Sequence, residues 1–185
     1  MIKRIFDILI SSVAILIFSI ILIPVIIILK LTGEGYIFYK QERIGQNGKP
    51  FNLLKFATMF NDSPNMEGGN ITAKNDTRIL PFGRFLRKYK INELPQILNV
   101  WLGNMSIIGR RPTVREHFDF FDEEVKNITS RFKPGLSGIT SIVFRDEEKY
   151  FTAKNPNENK NYYQEEIAPY KGELELWYCN NQSVI

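Results

Sequence analysis

A long run of apolar positions near the N-terminus dominates the hydrophobic pattern of the chain. The run covers residues 8–29, ILISSVAILIFSIILIPVIIIL, and contains no charged residue. As a helix it would be roughly 33 Å long at about 1.5 Å per residue, which is enough to cross a bilayer. It is too long for the apolar part of a cleaved signal peptide, and no small-residue cleavage site follows it. The pattern therefore predicts a membrane helix.

Two features leave the path of this helix open between a span and a hairpin. Pro24 lies inside the run, where it removes a backbone donor and bends or breaks the helix. Basic residues stand on both sides of the run, namely Lys3, Arg4, Lys30, Lys40 and Arg43. The positive-inside rule therefore orients no span, but it is satisfied if both ends return to the cytoplasmic face. Asp7 lies one turn from Lys3 and Arg4 and is predicted to pair with them at the interface.

Alternation of apolar and polar positions predicts a β-hairpin after the membrane helix. Residues 36–39 and 51–54 are strand-like, and the turn-forming sequence GQNG at 45–48 separates them. Residues 61–76 are rich in Asn, Gly and Pro and are predicted to form a loop.

Helical spacing predicts two helices after this loop. Residues 78–88 are predicted to form a short basic helix. The next helix is predicted to begin near Asn92, its N-cap, because Pro95 is tolerated only in the first turn of a helix. Its predicted buried stripe consists of Leu94, Ile97, Leu98 and Trp101.

The remaining pattern completes an α+β, mainly helical fold. One amphipathic helix is predicted from Phe118, Phe121, Val125 and Ile128. Residues 139–144 are strand-like, and residues 162–178 are predicted to form a helical tail interrupted at Pro169. The chain is thus divided into a proline-broken membrane helix, residues 1–33, and a compact cytosolic domain, residues 34–185, with a β-hairpin and short amphipathic helices.

Composition and charge narrow the function classes. The chain has 185 residues, enough for one domain with a modest core. The single cysteine, Cys179, permits no internal disulfide and argues against a cysteine-based metal site. The formal charge of +4 suits anionic lipid heads or nucleotide phosphates but lacks the bias of a nucleic-acid-binding protein, so no nucleic-acid partner is expected. His117, the only histidine, is predicted to be a surface residue rather than a base.

Residues 87–112 carry the residue types of a phosphate-handling site. Arginine presents a planar fork of donors that matches phosphate, and the candidates are Arg87, Arg110, Arg111 and Arg145. Glu93, at a helix start, is either a helix-stabilising charge or a metal ligand or acid–base group. An acidic cluster, Asp146-Glu147-Glu148, follows Arg145. Mg²⁺ would fit such a site, because it is typically held by one or two carboxylates plus substrate phosphates.

In these residues the chain resembles the bacterial sugar transferases known as monotopic phosphoglycosyl transferases. The matches run in order along nearly the whole chain: Lys3-Arg4, Asp7, Pro24, Phe38, Gln41, Arg43, Gly45, Lys55-Phe56, Thr58-Met59, Asp76, Arg78, Gly83-Arg84-Phe85-Leu86-Arg87, Glu93-Leu94-Pro95-Gln96, Asn99-Val100, Gly103, Met105-Ser106, Gly109, Arg111-Pro112, Pro134-Gly135, Gly138 and Arg145.

This resemblance implies a phosphoglycosyl transferase that moves a phospho-sugar from a UDP-sugar to polyprenyl phosphate and releases UMP. The reaction is the first membrane step of bacterial glycoconjugate or polysaccharide assembly, with downstream glycosyltransferases as candidate partners. The resemblance also implies a monotopic protein on the cytoplasmic face of the bacterial inner membrane. Its re-entrant helix breaks at Pro24, with Lys3, Arg4 and Asp7 at its start.

In the family, an Asp-Glu dyad acts with Mg²⁺. The Asp attacks the β-phosphate to form a covalent phospho-sugar intermediate, which polyprenyl phosphate then resolves. By this resemblance Glu93 and the residue at position 92 hold the metal. Three positions depart from the pattern. The nucleophilic Asp is Asn92, the family's Pro-Arg-Pro is Arg110-Arg111-Pro112, and a family Gln is Ser141.

Asn92 allows four interpretations, because an amide is a poor nucleophile and a weaker Mg²⁺ ligand than a carboxylate. Another carboxylate acts, either Glu93 or one of the cluster at 146–148. Alternatively, Glu93 assists direct attack by the lipid phosphate without a covalent intermediate. The chain could instead be a non-catalytic relative that binds substrate or a partner enzyme, or Asn92 could be a substitution introduced to stop turnover. The charges that remain are Glu93, Arg87, Arg111 and Arg145. They favour activity, since an abandoned site has no need of them.

Overall fold

The N-terminal helix, α1, runs from Ile2 to Leu31 in a computed structural model that describes residues 2–66, 71–73, 75–152 and 155–181. Among the described residues it is the one helix long and apolar enough to cross a membrane. The helix continues through Pro24, so the predicted break in the helix is not seen. A proline removes only one hydrogen bond from the ladder, which bends a helix more readily than it ends one.

Both ends of α1 contact the same globular domain. Near its start, Arg4 donates to the carbonyl oxygens of Val100 at 2.6 Å and Trp101 at 2.8 Å. Near its end, Val25 and Leu29 are buried against apolar side chains of the domain. Between these contacts the helix exposes large apolar side chains, as at Leu16 and Ile20, which are 72% and 77% exposed.

Asp7 provides a second anchor at the start of α1. Its Oδ1 accepts hydrogen bonds from Ser106 Oγ at 3.0 Å and from the Ile107 N–H at 2.9 Å. The predicted pairing of Asp7 with Lys3 and Arg4 is therefore wrong. The Asp7 side chain is buried against the domain, and its carboxylate accepts from these two donors instead of pairing with Lys3 and Arg4.

The predicted β-hairpin is confirmed. Strand β1, Phe38–Ile44, pairs antiparallel with strand β2, Pro50–Phe56. The turn between them contains Asn47 in the left-handed region, with φ of 57°, a conformation that asparagine tolerates better than most residues. The strands are longer than the apolar runs that predicted them and include charged positions, of which Arg43 and Lys55 line a cavity while Lys40 and Glu42 are exposed.

The segment after the hairpin differs from the prediction at its helix starts. Helix α2 covers Pro81–Lys88, and helix α3 covers Gln96–Leu102. Between them, Ile91–Glu93 form a single 3₁₀ turn entered through Lys90 with a positive φ of 57°. The predicted N-cap role of Asn92 is wrong, because this turn delays the start of α3 until after Pro95. Part of the predicted 61–76 loop, residues 67–70 and 74, lies outside the described residues.

The buried side of α3 also differs from its predicted stripe. Ile97 and Val100 are buried, whereas Trp101 is 47% exposed. Asn99 is buried as well, and its amide bonds the β2 backbone by accepting from Leu54 N–H and donating to Asn52 O. A polar side chain thus attaches the helix to the hairpin, which apolar periodicity does not predict.

Two three-residue strands form a parallel sheet that was not predicted. Strand β3, Ser106–Ile108, pairs with strand β4, Gly135–Ser137. A Cβ at Gly135 would lie 2.0 Å from the Gly109 nitrogen, so glycine is required for this close approach.

The C-terminal part of the domain is helical. The predicted helix around residues 118–128 is two helices, α4 at Arg115–Asp119 and α5 at Glu123–Thr129, because Asp122 is extended between them. Helix α6 covers Ile139–Val143, so the strand predicted there is wrong. A short apolar run suits either element, and periodicity alone does not separate them.

The predicted helical tail is confirmed and starts earlier than expected. Helix α7 covers Pro156–Tyr162, a π-helical turn covers Tyr163–Ile167, and helix α8 covers Ala168–Asn180. The tail continues past Pro169, because a proline in the first turn of a helix displaces no intrahelical donor. The fold is thus α+β and mainly helical, while the predicted domain boundary at residues 33 and 34 stays a prediction.

We expect the Asp7→Ala variant to be less stable by about 1–3 kcal/mol, because it leaves a buried hydroxyl and a backbone N–H without their acceptor. Denaturant unfolding of detergent-solubilised protein measures this loss. The Lys3→Ala variant removes an exposed side chain on the same turn and is the matched control. Asp7→Asn keeps an acceptor oxygen and should lose less; equal stability of Asp7→Ala and Lys3→Ala would contradict the anchoring role.

Candidate active site

A cavity of about 230 Å³ opens between the hairpin, the 3₁₀ turn at 91–93 and the C-terminal helices. Its described lining has seven basic side chains and four glutamates: Arg43, Lys55, Arg87, Lys90, Arg111, Arg145, Lys171, Glu93, Glu147, Glu148 and Glu175. The excess of positive charge in a partly enclosed space favours an anionic ligand.

Most of the predicted site residues meet in this cavity. Those that line it are Asn92, Glu93, Arg87, Arg111, Arg145 and Glu147. Residues from the 3₁₀ turn, from α2 and from the segments around α6 thus converge although they are distant in sequence. The candidate residues Arg110 and Asp146 are not part of the lining.

Arg110 has a structural position instead of the predicted contact with phosphate. Its side chain is almost fully buried, and its Nη2 donates to the carbonyl oxygens of Ile44 and Gly45, both at 2.9 Å. Its Nε donates to Phe132 O at 3.3 Å. These bonds join the hairpin turn to the segment after β3, so the guanidinium is directed away from the cavity.

Asp146 lies on the surface and forms a salt bridge with Lys149 at 2.9 Å. The hydrogen bond and the charge of Lys149 lower the pKa of its carboxyl below the usual value. Nothing in this position supports the predicted catalytic role of Asp146.

Glu93 lines the cationic cavity, and among the described residues neither a salt bridge nor a hydrogen bond holds its carboxylate. Burial alone would raise the pKa of this carboxyl, but the charges of Lys55 and Arg111 outweigh burial, and the pKa lies below its usual value. Glu93 is therefore ionised at neutral pH, as a nucleophile or a metal ligand must be.

Asn92 presents a buried oxygen beside Glu93. Its Oδ1 has no hydrogen-bond partner among the described residues, although the side chain is buried and lines the cavity. An unpaired buried oxygen is costly unless a ligand or water satisfies it. Within the described part of the chain no group of three or more His, Cys, Asp or Glu side chains is arranged to hold a metal. Asn92 and Glu93 would supply two oxygen ligands, and Mg²⁺ would need substrate phosphate oxygens to complete its coordination.

Glu147, unlike Glu93, is engaged in ion pairs. It accepts a hydrogen bond from Lys171 Nζ, and it lies 3.6 Å from Arg111 Nη2. Burial would raise the pKa of Glu147, but Lys171 and Arg111 bring the pKa below its usual value. The carboxylate thus holds two cations in place, which leaves it less free to react.

Glu175 on α8 fixes the position of Arg111. Its Oε1 accepts from the Arg111 N–H at 2.7 Å and from the Thr140 hydroxyl. Burial raises the pKa of this carboxyl above its usual value. The Arg111 side chain also donates to Ser141 Oγ at 3.5 Å, so the serine in place of a family glutamine still contacts the arginine.

Several cavity residues were missed or misjudged from the sequence. His117 stacks on Tyr163 with ring centroids 4.0 Å apart in the cavity wall, so its predicted surface position is wrong. Burial and the charge of Lys171 lower the pKa of His117 to about 4, which keeps the ring neutral at pH 7. Lys171 lies in the tail, and no local pattern connects it with the site.

A signal for the hairpin residues was present in the sequence. Tyr39, Gln41 and Arg43 alternate along β1 and line the cavity, and Lys55 pairs with Tyr39 across the hairpin. Alternate positions of a strand share one face, so polar residues at this spacing indicate a polar, functional face.

Comparisons with known proteins find a matching family model and several relatives. A family model described as bacterial sugar transferase matches residues 1–185. The exopolysaccharide production protein ExoY of Rhizobium meliloti is 37% identical over 166 residues, covering 82% of this chain and 73% of that protein.

Other relatives have names that state a reaction. The UDP-N-acetylgalactosamine-undecaprenyl-phosphate N-acetylgalactosaminephosphotransferase of Aeromonas hydrophila is 36% identical over 77% of this chain and 34% of its own length. The UDP-glucose:undecaprenyl-phosphate glucose-1-phosphate transferase of Klebsiella pneumoniae is 34% identical over 76% of this chain and 30% of its own length. This chain thus spans about a third of each of these two proteins.

We expect Lys55 to titrate near neutral pH. Burial, followed by the charge of Arg43, lowers the pKa of Lys55 to about 7, and Glu93 opposes this shift. NMR of ¹³Cε-labelled lysine in detergent measures the titration midpoint. The Glu93→Gln variant removes the opposing negative charge, so the midpoint should fall further.

Lys149 is the internal control for this titration, because its hydrogen bond with Asp146 raises the pKa of its ammonium group. A Lys55 midpoint as high as that of Lys149, or an upward shift in Glu93→Gln, would contradict the electrostatic description of the cavity.

Proposed function

The chain belongs to the bacterial sugar transferase family, and we propose that it transfers a sugar phosphate from a UDP-sugar to polyprenyl phosphate, releasing UMP. The observation that carries this proposal is the Glu93 carboxylate, free of salt bridges among the described residues, inside a cationic cavity beside a membrane-type helix. The names of the Aeromonas and Klebsiella relatives state undecaprenyl phosphate and UDP-sugars as substrates, which supports the same substrate classes here.

The cationic residues supply the binding of phosphates. Both proposed substrates are phosphate anions, and bringing them together requires positive charge between them. Arg87, Arg111 and Arg145 present guanidinium groups at the cavity wall, and a guanidinium donates in pairs to phosphate oxygens. We therefore assign these three arginines to phosphate binding and leave Arg110 out.

Glu93 is the best candidate for the reacting carboxylate. Asp146 lies outside the cavity lining and Glu147 is held by Lys171 and Arg111, whereas Glu93 has no such partner among the described residues. In the proposed step a Glu93 oxygen attacks the β-phosphorus, the bond to the bridging oxygen breaks, and UMP leaves with the electron pair. Polyprenyl phosphate then attacks the same phosphorus and displaces the carboxylate.

Mg²⁺ is the proposed cofactor. Asn92 Oδ1 and a Glu93 oxygen would hold it together with substrate phosphate oxygens. When bound, it would offset the charge of the diphosphate and of the leaving UMP.

The proposed position is monotopic, on the cytoplasmic face of the bacterial inner membrane, with α1 bending at Pro24 so that it enters and leaves the same leaflet. Arg4 and Asp7 at the start of α1, and Val25 and Leu29 near its end, all contact one domain. A helix spanning the bilayer would separate these two contact regions by the full hydrocarbon thickness, about 30 Å. The product would remain in the membrane, where downstream glycosyltransferases could use it.

Asn92 supports one alternative, a non-catalytic relative that binds substrate or a partner enzyme. An asparagine cannot supply the negative charge of the family's nucleophile. A binding protein, however, has no need of the Glu93 carboxylate in a cavity whose cations lower its pKa. The two functions differ in whether UMP is formed.

We expect UMP release when the full chain is mixed with a panel of UDP-sugars, polyprenyl phosphate and Mg²⁺. The Glu93→Gln variant should lose at least ~1,000-fold in rate, as expected for loss of a nucleophile. Glu42→Gln changes a glutamate that is exposed on β1 and lies outside the cavity lining, so it is the matched control. Asn92→Asp should be at least as active as the unaltered chain.

Each outcome of this assay has a distinct meaning. No release by the unaltered chain and by Asn92→Asp would refute the transferase, whereas activity of Asn92→Asp alone would favour the non-catalytic relative. Mass spectrometry of peptides after UDP-sugar treatment should find a phospho-sugar on Glu93. Its absence during turnover would indicate direct attack by the lipid phosphate.

We expect residue 3 and the globular domain to lie on the same side of the membrane. In a Cys179→Ala background, Lys3→Cys and Glu124→Cys each provide one exposed thiol. An impermeant thiol reagent should label neither variant in intact spheroplasts and both after permeabilisation. A spanning helix would instead give labelling of Lys3→Cys alone.

A further inference from the structure

A second pocket, of about 280 Å³, lies between the end of α1, strand β1 and the start of α2. We propose that it binds the isoprenyl units next to the phosphate of the lipid acceptor. This inference rests on the proposed function, because it assigns a place to one of the two proposed substrates.

The lining of this pocket is suited to hydrocarbon. Leu29, Phe38, Leu80 and Phe82 contribute apolar side chains from three separate elements. Two of the polar residues in the wall already have partners within the chain: Glu34 Oε2 accepts from the Asn61 backbone N–H at 2.5 Å, and Thr32 Oγ1 donates to Ile28 O at 2.6 Å. An isoprenyl chain requires no polar partner from such a wall.

The pocket adjoins the active-site cavity. Tyr39, Ala57 and Met59 line both spaces and form the boundary between the apolar pocket and the cationic cavity. An isoprenyl phosphate is an apolar chain with an anionic end. A ligand lying across the boundary would place its phosphate among the cavity arginines and its first isoprenyl units in the pocket.

The pocket also lies where a lipid would enter from the membrane. Leu29 and Thr32 at the end of α1 form part of its wall. Helix α2 forms another wall, and Phe85 on it and Tyr89 just after it are exposed, with ring centroids 5.0 Å apart. Exposed aromatic side chains beside an apolar helix are typical of the membrane–water interface.

The volume limits what the pocket can hold. Small-molecule pockets commonly measure about 300–1,000 Å³, so a pocket near the lower limit accommodates a short segment and not a whole polyprenyl chain. The proposal therefore concerns the units nearest the phosphate, and the remainder of the chain would stay in the bilayer.

Photo-crosslinking tests this placement directly. The probe is a polyprenyl phosphate with a photoreactive group in the isoprenyl unit next to the phosphate, added to the full chain in detergent. Mass spectrometry should find the label within residues 34–39 or 80–83, and unlabelled polyprenyl phosphate should compete. Labelling confined to residues 8–23, on the exposed part of α1, would overturn the proposal. Equal labelling of the pocket by a photoreactive phospholipid would overturn it as well.

A kinetic comparison gives an independent measurement. Leu80→Trp fills the pocket and should raise the KM for polyprenyl phosphate roughly tenfold or more, with the KM for the UDP-sugar unchanged. Ile142→Trp, at a position 69% exposed and outside both linings, is the matched control. An unchanged KM in folded Leu80→Trp would contradict the proposal. If the unaltered chain releases no UMP, the proposed function fails, while the crosslinking still reports on the pocket.

Discussion

Arg43, Lys55 and Arg111 carry like charges into one partly buried cavity, and holding them there costs free energy that the rest of the fold must offset. Burial, with the charge of Arg111, lowers the pKa of Arg43 to about 10. Burial, with the charges of Arg43 and Arg111, lowers the pKa of Lys55 to about 7. A bound phosphate would relieve this repulsion, so the same feature that destabilises the empty cavity favours an anionic substrate.

The cations stay in place because other buried polar groups fix the backbone around them. Arg110 bonds the end of the hairpin to the segment after β3, and Glu175 holds both the Arg111 backbone and Thr140. Lys171 reaches Glu147 from the same helix as Glu175. The C-terminal helix thus forms part of the cavity, and its two polar side chains are as necessary to the position of Arg111 as the turn that carries it.

The sequence predicted those parts of the fold in which local chemistry and tertiary structure agree. The hairpin followed from its turn residues, and the helical tail from its mixture of aromatic and acidic residues. The predicted start of α3 was wrong, because a 3₁₀ turn at Ile91–Glu93 precedes the helix. This turn is entered through Lys90 with a positive φ, a conformation that the presence of a lysine does not predict. Strands β3 and β4 were missed, since three-residue strands that depend on the approach of Gly109 and Gly135 leave no periodic pattern.

The site residues also divide into those that local sequence predicts and those that only the tertiary structure places. Arg87, Arg111 and Glu93 were predicted from residue type and spacing, whereas Arg110 has the same side chain as its neighbour and points the other way. Neighbouring residues diverge at the end of a strand, and only the tertiary structure decides which one faces the ligand. Lys171 belongs to the cavity through helix packing alone.

An asparagine at position 92 has different consequences for substrate binding and for the chemical step. An aspartate here would add a negative charge among the cations and would oppose an incoming diphosphate. The amide leaves the cationic excess unreduced, so substrate binding is preserved or strengthened while one carboxylate is lost. Its unpaired Oδ1 gives a neutral oxygen at the same place. The proposed transfer therefore rests on Glu93, which remains ionised because the surrounding cations outweigh its burial.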